Sequence, residues 1–455
     1  MATHTRLHRW LARQRSSPIA QALTLNTVWF GVSFLWNAIH PIVLPTLLVN
    51  IREDAQNTSY GLLTFAGLVV AAVVQPISGA LSDRTTHRLG KRRPWMLLGL
   101  ASGLACLWLM MLARDMWALA LGYVLLQCSS NILHGAAQGL IPDLTPTEQH
   151  GLASGLKNLL DMLGLVTASL VISRMAGGAT PQLPLAAVVI SAVWAAGVLC
   201  TVCGLVEPTT TSTNTAHSGI GAALRHDWGV RGTGHGDYAR LLLARFCLLF
   251  GVYVVEAFAY FYFVDVLHLA DPAKAVGNIM TVIGVALIIS TVPAGVVSER
   301  FGRRRLSLLA EGVVFCGLIG LAIWRAAHQL WVWGVVIGLG MGIFVSVNWA
   351  WATDLVPKQQ AAGYLGLSNL ATAGAAALSR LMGPVIDLVN AQRHDAGYSL
   401  LFVIAIIGAG IAFFVTRGIR ETRQVVRVGT NGSDCEADPG SGPGSAGDTS
   451  PIDGL

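Results

Sequence analysis

Two pairs of oppositely charged side chains lie inside long apolar stretches of the chain, and the first pair is Lys157 and Asp161. The two residues are four positions apart, so on a helix they project from one face and can pair. Ionisable groups within a bilayer are costly and by default indicate function. A buried Asp whose cationic partner can leave changes its protonation state, which is what proton coupling requires. A static ion pair that ties one helix to its neighbour is the competing interpretation.

Glu256 and Arg380 are the second pair, and both lie deep in later apolar stretches. Glu256 belongs to an aromatic run that includes Tyr253 and Tyr260 and suits stacking on the face of a sugar. Packing and interfacial anchoring explain the same rings. Glu311 lies only about two turns into its stretch, at 3.6 residues per turn, and is therefore a weaker candidate.

Other polar and aromatic side chains in the apolar stretches could bind a substrate through hydrogen bonds: Asn26, Trp29, Asn37, His40, His134, Gln138, Asn348 and Trp349. Pro41 could bend the first helix as a gate moves. A single intramembrane His such as His134 also fits a neutral packing role.

The composition places these side chains in a membrane protein. Hydrophobic residues make up 53% of the chain and charged residues 12%, so a soluble fold would need an implausibly large core. The formal net charge is +6, but the basic residues lie at the ends of apolar stretches, which argues against nucleic-acid binding. Cys200 and Cys203 form a C-x-x-C pattern in an apolar stretch, where packing explains them better than redox or metal chemistry. No nucleophile, metal-ligand set or phosphate loop stands out, so we expect neither an enzyme nor a cofactor.

Twelve apolar stretches are long enough to cross a bilayer, whose core of about 30 Å requires roughly 20 helical residues. They cover residues 22–49, 60–82, 93–113, 116–141, 150–175, 183–206, 240–266, 275–298, 304–325, 329–353, 361–389 and 397–418. Placing both termini in the cytoplasm puts 21 Lys and Arg residues on that side and 6 on the other. Connections rich in Lys and Arg stay in the cytoplasm. We therefore expect a monomeric, lipid-embedded plasma-membrane protein with both termini inside.

The polar segments outside these stretches are assigned to the cytoplasm. Residues 1–21 form a basic N-terminal segment, and residues 207–239 form a linker that could carry a short surface helix at 221–228. Residues 419–455 are the C-terminal tail, in which Gly, Ser, Pro and Asp become abundant. Such a composition cannot bury enough apolar surface to fold, so we expect the tail to be disordered.

A charge-dense connection, residues 79–95, occurs twice in the chain. The first copy contains Gly79, Ser82, Asp83, Arg84, Gly90, Lys91, Arg92 and Arg93, and the second contains Gly295, Ser298, Glu299, Arg300, Gly302, Arg303, Arg304 and Arg305. The two copies are 216 residues apart. A second motif, Asp-Leu-x-Pro, begins at Asp143 and again at Asp354, 211 residues later. The chain therefore consists of two related halves, 22–206 and 240–418, and parallel six-helix halves are a known plan for secondary transporters.

With these motifs, residues 20–420 resemble the major facilitator superfamily, whose signature connection reads Gly-x-x-x-Asp-Arg followed by Gly and basic residues. The variant here is most similar to the sucrose-transporter and glycoside-pentoside-hexuronide cation-symporter branch. The resemblance implies an all-α integral membrane fold with twelve transmembrane helices in two pseudo-symmetric six-helix bundles. Helices one, four, seven and ten then line the cavity.

The resemblance also implies a gating latch at the cytoplasmic side. Asp83 would dock at the N-terminus of the helix that begins near Ala361, where unpaired amides attract a carboxylate. By pseudo-symmetry Glu299 would face the helix that begins near Gly151. The competing interpretation is that these charges only set the topology.

Two positions depart from the branch. Sucrose transporters carry an Arg on the fourth helix, and the corresponding residue here is Gln138. Sodium-coupled members carry acids on the second helix, and this second helix has none before Asp83.

We expect a secondary active transporter for a small molecule, with proton-coupled import of a sugar or glycoside as the first hypothesis. The alternatives are an exporter of amphipathic drugs or metabolites and a non-transporting assembly or pigment-handling protein with the same fold. A cavity lined mainly by apolar groups would favour export.

Overall fold

The structure, a computed structural model, describes residues 18–51, 55–178, 180–205, 235–324, 327–356 and 361–420. Every regular element in these ranges is a helix. Two of the twelve long helices are interrupted: α1 contains a π-helical turn at Ile39–Val43, and α11 consists of two segments, α11a and α11b. The long helices are α1 (Pro18–Ala38 and Leu44–Ile51), α2 (Gln56–Arg84), α3 (Arg93–Met111), α4 (Met116–Gln138), α5 (His150–Ala176), α6 (Leu183–Gly204), α7 (His235–Asp265), α8 (Pro272–Phe301), α9 (Arg303–Ile323), α10 (Ala327–Asp354), α11a (Ala361–Arg380), α11b (Met382–Gln392) and α12 (Ala396–Arg417). Two short helices, Leu140–Leu144 and Thr147–Gln149, lie between α4 and α5.

The predicted all-helical membrane fold is confirmed. Within the described ranges, eleven helices are long and apolar enough to cross a membrane. The predicted boundaries lie within five residues of the observed ones. The predicted span that is not among these eleven is the one at 361–389, which corresponds to α11 and breaks at Leu381. Pro384 explains the break, because a proline ring clashes with the carbonyl four residues earlier, here that of Arg380.

The same five helix pairs pack in residues 18–205, here called the first half, and in residues 235–420, the second half. In the first half α1 packs on α5 and α6, α4 on α2 and α3, and α3 on α6. In the second half α7 packs on α11 and α12, α10 on α8 and α9, and α9 on α12. The main contacts between the halves are α5 on α8 and α2 on α11. These two contacts therefore decide how the halves meet.

The π-helical turn in α1 surrounds Pro41, the residue expected to bend this helix. The helix continues on either side of the turn, and the carbonyl of His40 accepts a hydrogen bond of 3.0 Å from the Tyr60 hydroxyl on α2. Single π-helical turns occur frequently at functional sites because they re-aim side chains and carbonyls.

Several expectations concern residues outside the described ranges. These are the first 17 residues, the linker from 206 to 234 with its predicted helix at 221–228, and the tail from 421 onward.

Gly135 on α4 offers a test of the close packing between α2 and α4. A Cβ atom at Gly135 would lie 2.1 Å from Ser78 Oγ and 2.4 Å from the Gln75 carbonyl oxygen. Gly135→Ala should therefore lower the thermal unfolding midpoint in detergent, since overpacking typically costs about 1–3 kcal/mol. Gly155→Ala on α5 is the matched control, because a Cβ there meets nothing within 4 Å. Equal midpoints for the two variants would contradict the packing seen here.

Candidate substrate site

The basic connections of the two halves lie at one end of the helices, here called the basic end. Arg92 donates hydrogen bonds to Asp143 Oδ2 from Nε at 3.0 Å and from Nη2 at 2.9 Å. Arg92 also pairs with Asp83. In the second half Arg303 Nε donates to Asp354 Oδ2 at 3.0 Å. Each connection is thus bound to the acid of the repeated Asp-Leu-x-Pro motif.

The next arginine in each half binds the end of that half's last helix. Arg93 donates to the Leu205 carbonyl after α6, and Arg304 donates to the Arg417 carbonyl of α12. These arginines are 211 residues apart, the same offset as Asp143 and Asp354.

A glycine precedes the basic residues in both connections for a conformational reason. Gly90 has φ of 98° and Gly302 has φ of 93°, a region that glycine enters readily and other residues avoid.

The predicted latch between Asp83 and α11 is not formed in this conformation. Among the described residues, the partner of the Asp83 carboxylate is Arg92 in its own half. Glu299, Arg84 and Arg300 are exposed. The latch stays a prediction for a conformation in which the halves close at the basic end.

The halves meet instead at the opposite end, here called the acidic end. Asp387 on α11b accepts a hydrogen bond of 2.7 Å from the backbone N–H of Thr58 and one of 2.9 Å from Asn57 Nδ2. Thr58 lies in the first turn of α2, where the backbone amides have no partner within the helix. A carboxylate is stabilised there by the amides and by the helix dipole. Asp387 therefore caps a helix of the opposite half.

Asp265, the last residue of α7, joins the same network. Gln56 Nε2 lies 3.0 Å from each of its carboxylate oxygens, and the Tyr398 hydroxyl also donates to it. Tyr398 in turn accepts a hydrogen bond of 2.9 Å from Asn57. The first turn of α2 is thus bound to α7, α11b and α12.

Two further polar contacts join the halves. The backbone N–H of Gly178, just after α5, donates to Asp271 Oδ2 at 2.9 Å. Asp271 is the N-cap residue of α8. Thr46 on α1 donates to the Tyr260 hydroxyl on α7 at 3.0 Å.

Arg380 lies at the boundary between the halves, at the break in α11. Its side chain is only 8% exposed, and its guanidinium carbon is 5.9 Å from the centre of the Tyr60 ring. It interacts electrostatically with Glu256 and Tyr253 on α7. The two predicted partners do not form an ion pair within 4.0 Å, and Nη1 of Arg380 has no hydrogen-bond partner among the described residues.

A polar network of the first half lies near the same guanidinium. The Tyr123 hydroxyl is 3.0 Å from His40 Nε2 and accepts a hydrogen bond of 2.8 Å from Gln127. The Trp36 ring stacks on His40 with 4.9 Å between ring centres. Arg380 interacts electrostatically with both His40 and Tyr123. A cation of the second half therefore interacts electrostatically with a hydrogen-bonded network of the first half.

Lys157 and Asp161 do not pair in this conformation. The Lys157 ammonium lies 4.1 Å from the centre of the Trp29 ring, which makes an edge contact with His134. The Asp161 side chain is exposed, and its backbone carbonyl accepts a hydrogen bond of 2.6 Å from Ser33. A cation–π contact thus takes the place of the predicted ion pair.

Some predicted cavity residues have structural roles. Asn26 is fully buried and ties α1 to α5 through a 3.0 Å hydrogen bond to the Ala153 carbonyl. Asn37 bonds to Ser33 in its own helix. Gln138 is exposed at the end of α4.

The remaining predicted residues lie in the second half. Asn348 binds Arg245, and the Trp349 ring is 39% exposed and 5.8 Å from the same guanidinium. Glu311, ranked low, is fully buried and accepts a 2.7 Å hydrogen bond from Thr416.

The aromatic run of α7 is mainly packing. Phe258 and Phe261 are fully buried and contact Tyr60 with ring centres 5.9 and 5.4 Å apart. Tyr253, by contrast, is half-buried and lines a cavity together with Glu256.

The sequence interpretation missed Tyr60, Tyr123, Gln127, Asp265 and Asp387. The sequence did contain a signal for Asp387 and for the pair Tyr123 and Gln127. Asp387 is an acid within the predicted eleventh span, and Tyr123 and Gln127 are four residues apart on one face of α4.

The described residues include no group of three or more His, Cys, Asp or Glu side chains placed to hold a metal ion. Cys200 and Cys203 are exposed free thiols on α6.

Two curated relatives are similar to parts of the chain. The proton-associated sugar transporter A of Homo sapiens is 28% identical over 151 residues, which are 28% of this chain and 20% of that protein. The general alpha-glucoside permease of Schizosaccharomyces pombe is 34% identical over 102 residues, 22% of this chain and 17% of that protein. The matched stretches thus span about a fifth of these relatives.

Solved transporter structures share the fold over most of the chain. A D-xylose-proton symporter superposes with a TM-score of 0.67 at 17% identity, covering 88% of this chain and 97% of that chain. A nucleoside transporter gives 0.67 at 12% identity, covering 88% and 99%. A bacterial homologue of the lysosomal transporter Spinster, in an inward-facing and occupied conformation, gives 0.65 at 14% identity, covering 89% and 97%.

The family model of the Major Facilitator Superfamily matches residues 22–380, well over half of the chain. This chain belongs to the Major Facilitator Superfamily and is a multi-pass membrane transporter rather than an enzyme.

Proposed function

We propose that the protein imports a sugar or glycoside together with protons, by alternating access between two six-helix bundles. The observation that carries the proposal is the set of interactions of Arg380, which acts electrostatically on Glu256 of its own half and on His40 and Tyr123 of the first half. Tyr123 is hydrogen-bonded to Gln127. A substrate bound there touches both halves, so its binding energy depends on how they are arranged.

The chemistry of this site suits a carbohydrate. Hydroxyl groups both donate and accept hydrogen bonds, and the amide of Gln127, the hydroxyl of Tyr123 and the imidazole of His40 offer both functions. The Trp36 ring beside His40 adds an aromatic face. The two partly similar relatives, a sugar transporter and a glucoside permease, support the same substrate class.

The arrangement of contacts supports a conformation that is closed at the acidic end. The polar contacts described above between the halves lie there, at Asp387, Asp265 and Asp271. With the basic end in the cytoplasm, this is an inward-open conformation with both termini inside. The plasma membrane is the proposed location.

Two carboxylates are candidates for the coupling proton. Asp161 lies on α5, the helix that contacts α8 of the other half, and has no ion-pair partner among the described residues. Glu256 interacts electrostatically with Arg380 without forming an ion pair within 4.0 Å. Protonation of either group removes a charge near the moving boundary and so changes the relative stability of the two conformations.

A second candidate function is export of an amphipathic compound. The cavity beside Glu256 has a volume of about 420 Å³, and most of its wall is apolar. Such a lining suits an apolar body better than a free sugar.

Uptake into proteoliposomes tests the proposal and separates the two candidates. Wild-type protein should accumulate a labelled sugar or α-glucoside only when the outside is acidic. Arg380→Gln should reduce uptake about tenfold or more, because charge-assisted hydrogen bonds are the strong ones at such a site. Arg240→Gln, at an exposed arginine on α7, is the control. If no labelled sugar or α-glucoside accumulates and an amphipathic cation or dye is transported under the gradient, the proposal of sugar import is wrong and export is favoured.

Coupling is tested at Asp161, with Lys157 as its modulator. Asp161→Asn should abolish accumulation under a proton gradient and leave exchange of substrate at equal concentrations largely intact. The reason is that a neutral side chain can no longer carry the proton while the substrate site is unchanged. Glu256→Gln is measured in parallel. Wild-type accumulation by Asp161→Asn would place the proton site elsewhere or make the protein a uniporter.

The cap provided by Asp387 is tested by hydrogen–deuterium exchange. Asp387→Asn should speed exchange of the Thr58 amide by up to roughly 30-fold, because a charge at a helix N-terminus contributes up to about 2 kcal/mol. Asp115→Asn is the matched control, since Asp115 caps α4 within one half through a 2.9 Å bond from the Ala118 amide. An unchanged Thr58 rate in Asp387→Asn would show that this carboxylate does not hold the halves together.

A further inference from the structure

Arg245 on α7 is a deeply buried cation without an acidic partner in the described part of the chain. Its side chain is 8% exposed and belongs to no ion pair among the described residues. Its Nε donates to Thr372 Oγ1 at 2.9 Å and its Nη1 donates to Asn348 Oδ1 at 2.7 Å. The titratable groups that act on it are Tyr253 and Tyr238, two phenols.

Neutral acceptors do not balance a buried positive charge. A guanidinium has five N–H donors, and the two bonds to Thr372 and Asn348 leave Nη2 without an acceptor among the described residues. Burying an ion is costly unless an opposite charge compensates it. As far as the structure describes them, the surroundings of Arg245 therefore lack an anion.

Asn348 provides a second donor at the same place. It is only 1% exposed, and its oxygen is occupied by Arg245. Its Nδ2 is buried and has no hydrogen-bond partner within the described ranges. A buried donor that stays unpaired is unfavourable, so Asn348 adds to the excess of donors beside Arg245.

Arg245 and Thr372 both line the cavity of about 420 Å³. The rest of its wall is mainly apolar and includes Leu249, Leu287 and Phe402. The lining residues on α7 run from Arg245 to Phe263, a distance of about 27 Å at 1.5 Å per residue. A cation at one end of a long apolar cavity matches a molecule with an acidic head and an apolar body.

We propose that the second half binds an amphipathic organic anion, with its carboxylate or phosphate head at Arg245 and its apolar body along α7. Glu256, about 16 Å farther along the helix at 1.5 Å per residue, repels an acidic head and so fixes the direction of the molecule. The proposal goes beyond sugar transport, because the head group binds away from Arg380. The apolar body shares Tyr253 and Glu256 with the substrate site, so its occupancy should also slow transport.

Binding of three probes to the purified protein in neutral-lipid nanodiscs tests the proposal. Octanoate carries both an acidic head and an apolar body, octanol lacks the charge, and acetate lacks the body. Octanoate should bind wild-type protein about tenfold or more tighter than either of the others, measured by calorimetry. Equal binding of octanol and octanoate would overturn the role of Arg245.

Variants distinguish a ligand-binding role of Arg245 from a purely structural role. Arg245→Gln should lose the preference for octanoate over octanol, and Arg245→Lys should keep part of it because the charge remains. Leu287→Trp should fill the cavity and weaken the binding of both octanoate and octanol. Arg240→Gln is the control on the same helix and should bind like wild type. A preference for octanoate that survives in a folded Arg245→Gln protein would contradict the proposal.

Nanodiscs with and without an anionic lipid distinguish a membrane lipid from a free metabolite as the source of the anion. If a membrane lipid supplies the head group, phosphatidylglycerol in the nanodisc should compete with octanoate at wild-type Arg245 and have no effect in Arg245→Gln. If a free metabolite supplies it, phosphatidylglycerol should leave octanoate binding unchanged. If octanoate binds in neither neutral nor anionic discs, the anion site does not exist. Sugar uptake is measured separately, so this result leaves the proposed transport function untouched.

Discussion

The contact of Asp387 with the first turn of α2 is the interaction on which this conformation depends. It places a carboxylate of one half on the unpaired amides of a helix in the other, at a distance of 2.7 Å. A helix start offers such a site only once, so the contact holds α2 and α11 in a defined register. Asn57, Tyr398, Gln56 and Asp265 extend it to α7 and α12.

The break in α11 connects this contact to the proposed substrate site. α11b carries Asp387, and α11a ends at Arg380, whose side chain faces the boundary of the halves. A Cβ at Gly61 would lie 2.3 Å from the Arg380 carbonyl oxygen, so α2 approaches the break closely. In the proposed function, a substrate that binds Arg380 acts on the segment that closes the acidic end. The electrostatic interaction between Glu256 and Arg380 is the proposed route by which protonation acts on the same segment.

Much of the fold follows from the sequence, because bilayer thickness sets the length of an apolar helix. The repeated acids Asp143 and Asp354 also occupy equivalent places, each bound to the arginine of its own half. Contacts between helices were harder to predict. Spacing puts Lys157 and Asp161 on one face, yet Lys157 reaches Trp29, because a neighbouring helix offers a closer partner. The cap by Asp387 depends on which end of the halves is closed, and residue spacing carries no information about that. The break in α11 was not predicted, since residues 361–389 were assigned to one continuous span, although Pro384 is a sequence signal for it.

Pairs of spin labels at both ends test the rocking of the halves most directly. One pair at Arg114 and Arg393 spans the acidic end, and a second at Thr86 and Phe301 spans the basic end; all four residues are exposed. Distances are measured by double electron–electron resonance in nanodiscs, with and without substrate and at neutral and acidic pH. Alternating access predicts that the distance at the acidic end lengthens as the distance at the basic end shortens. In each sample, the fraction of molecules that shows the first change should equal the fraction that shows the second. Distances that change at one end alone, or that stay constant at both, would contradict it.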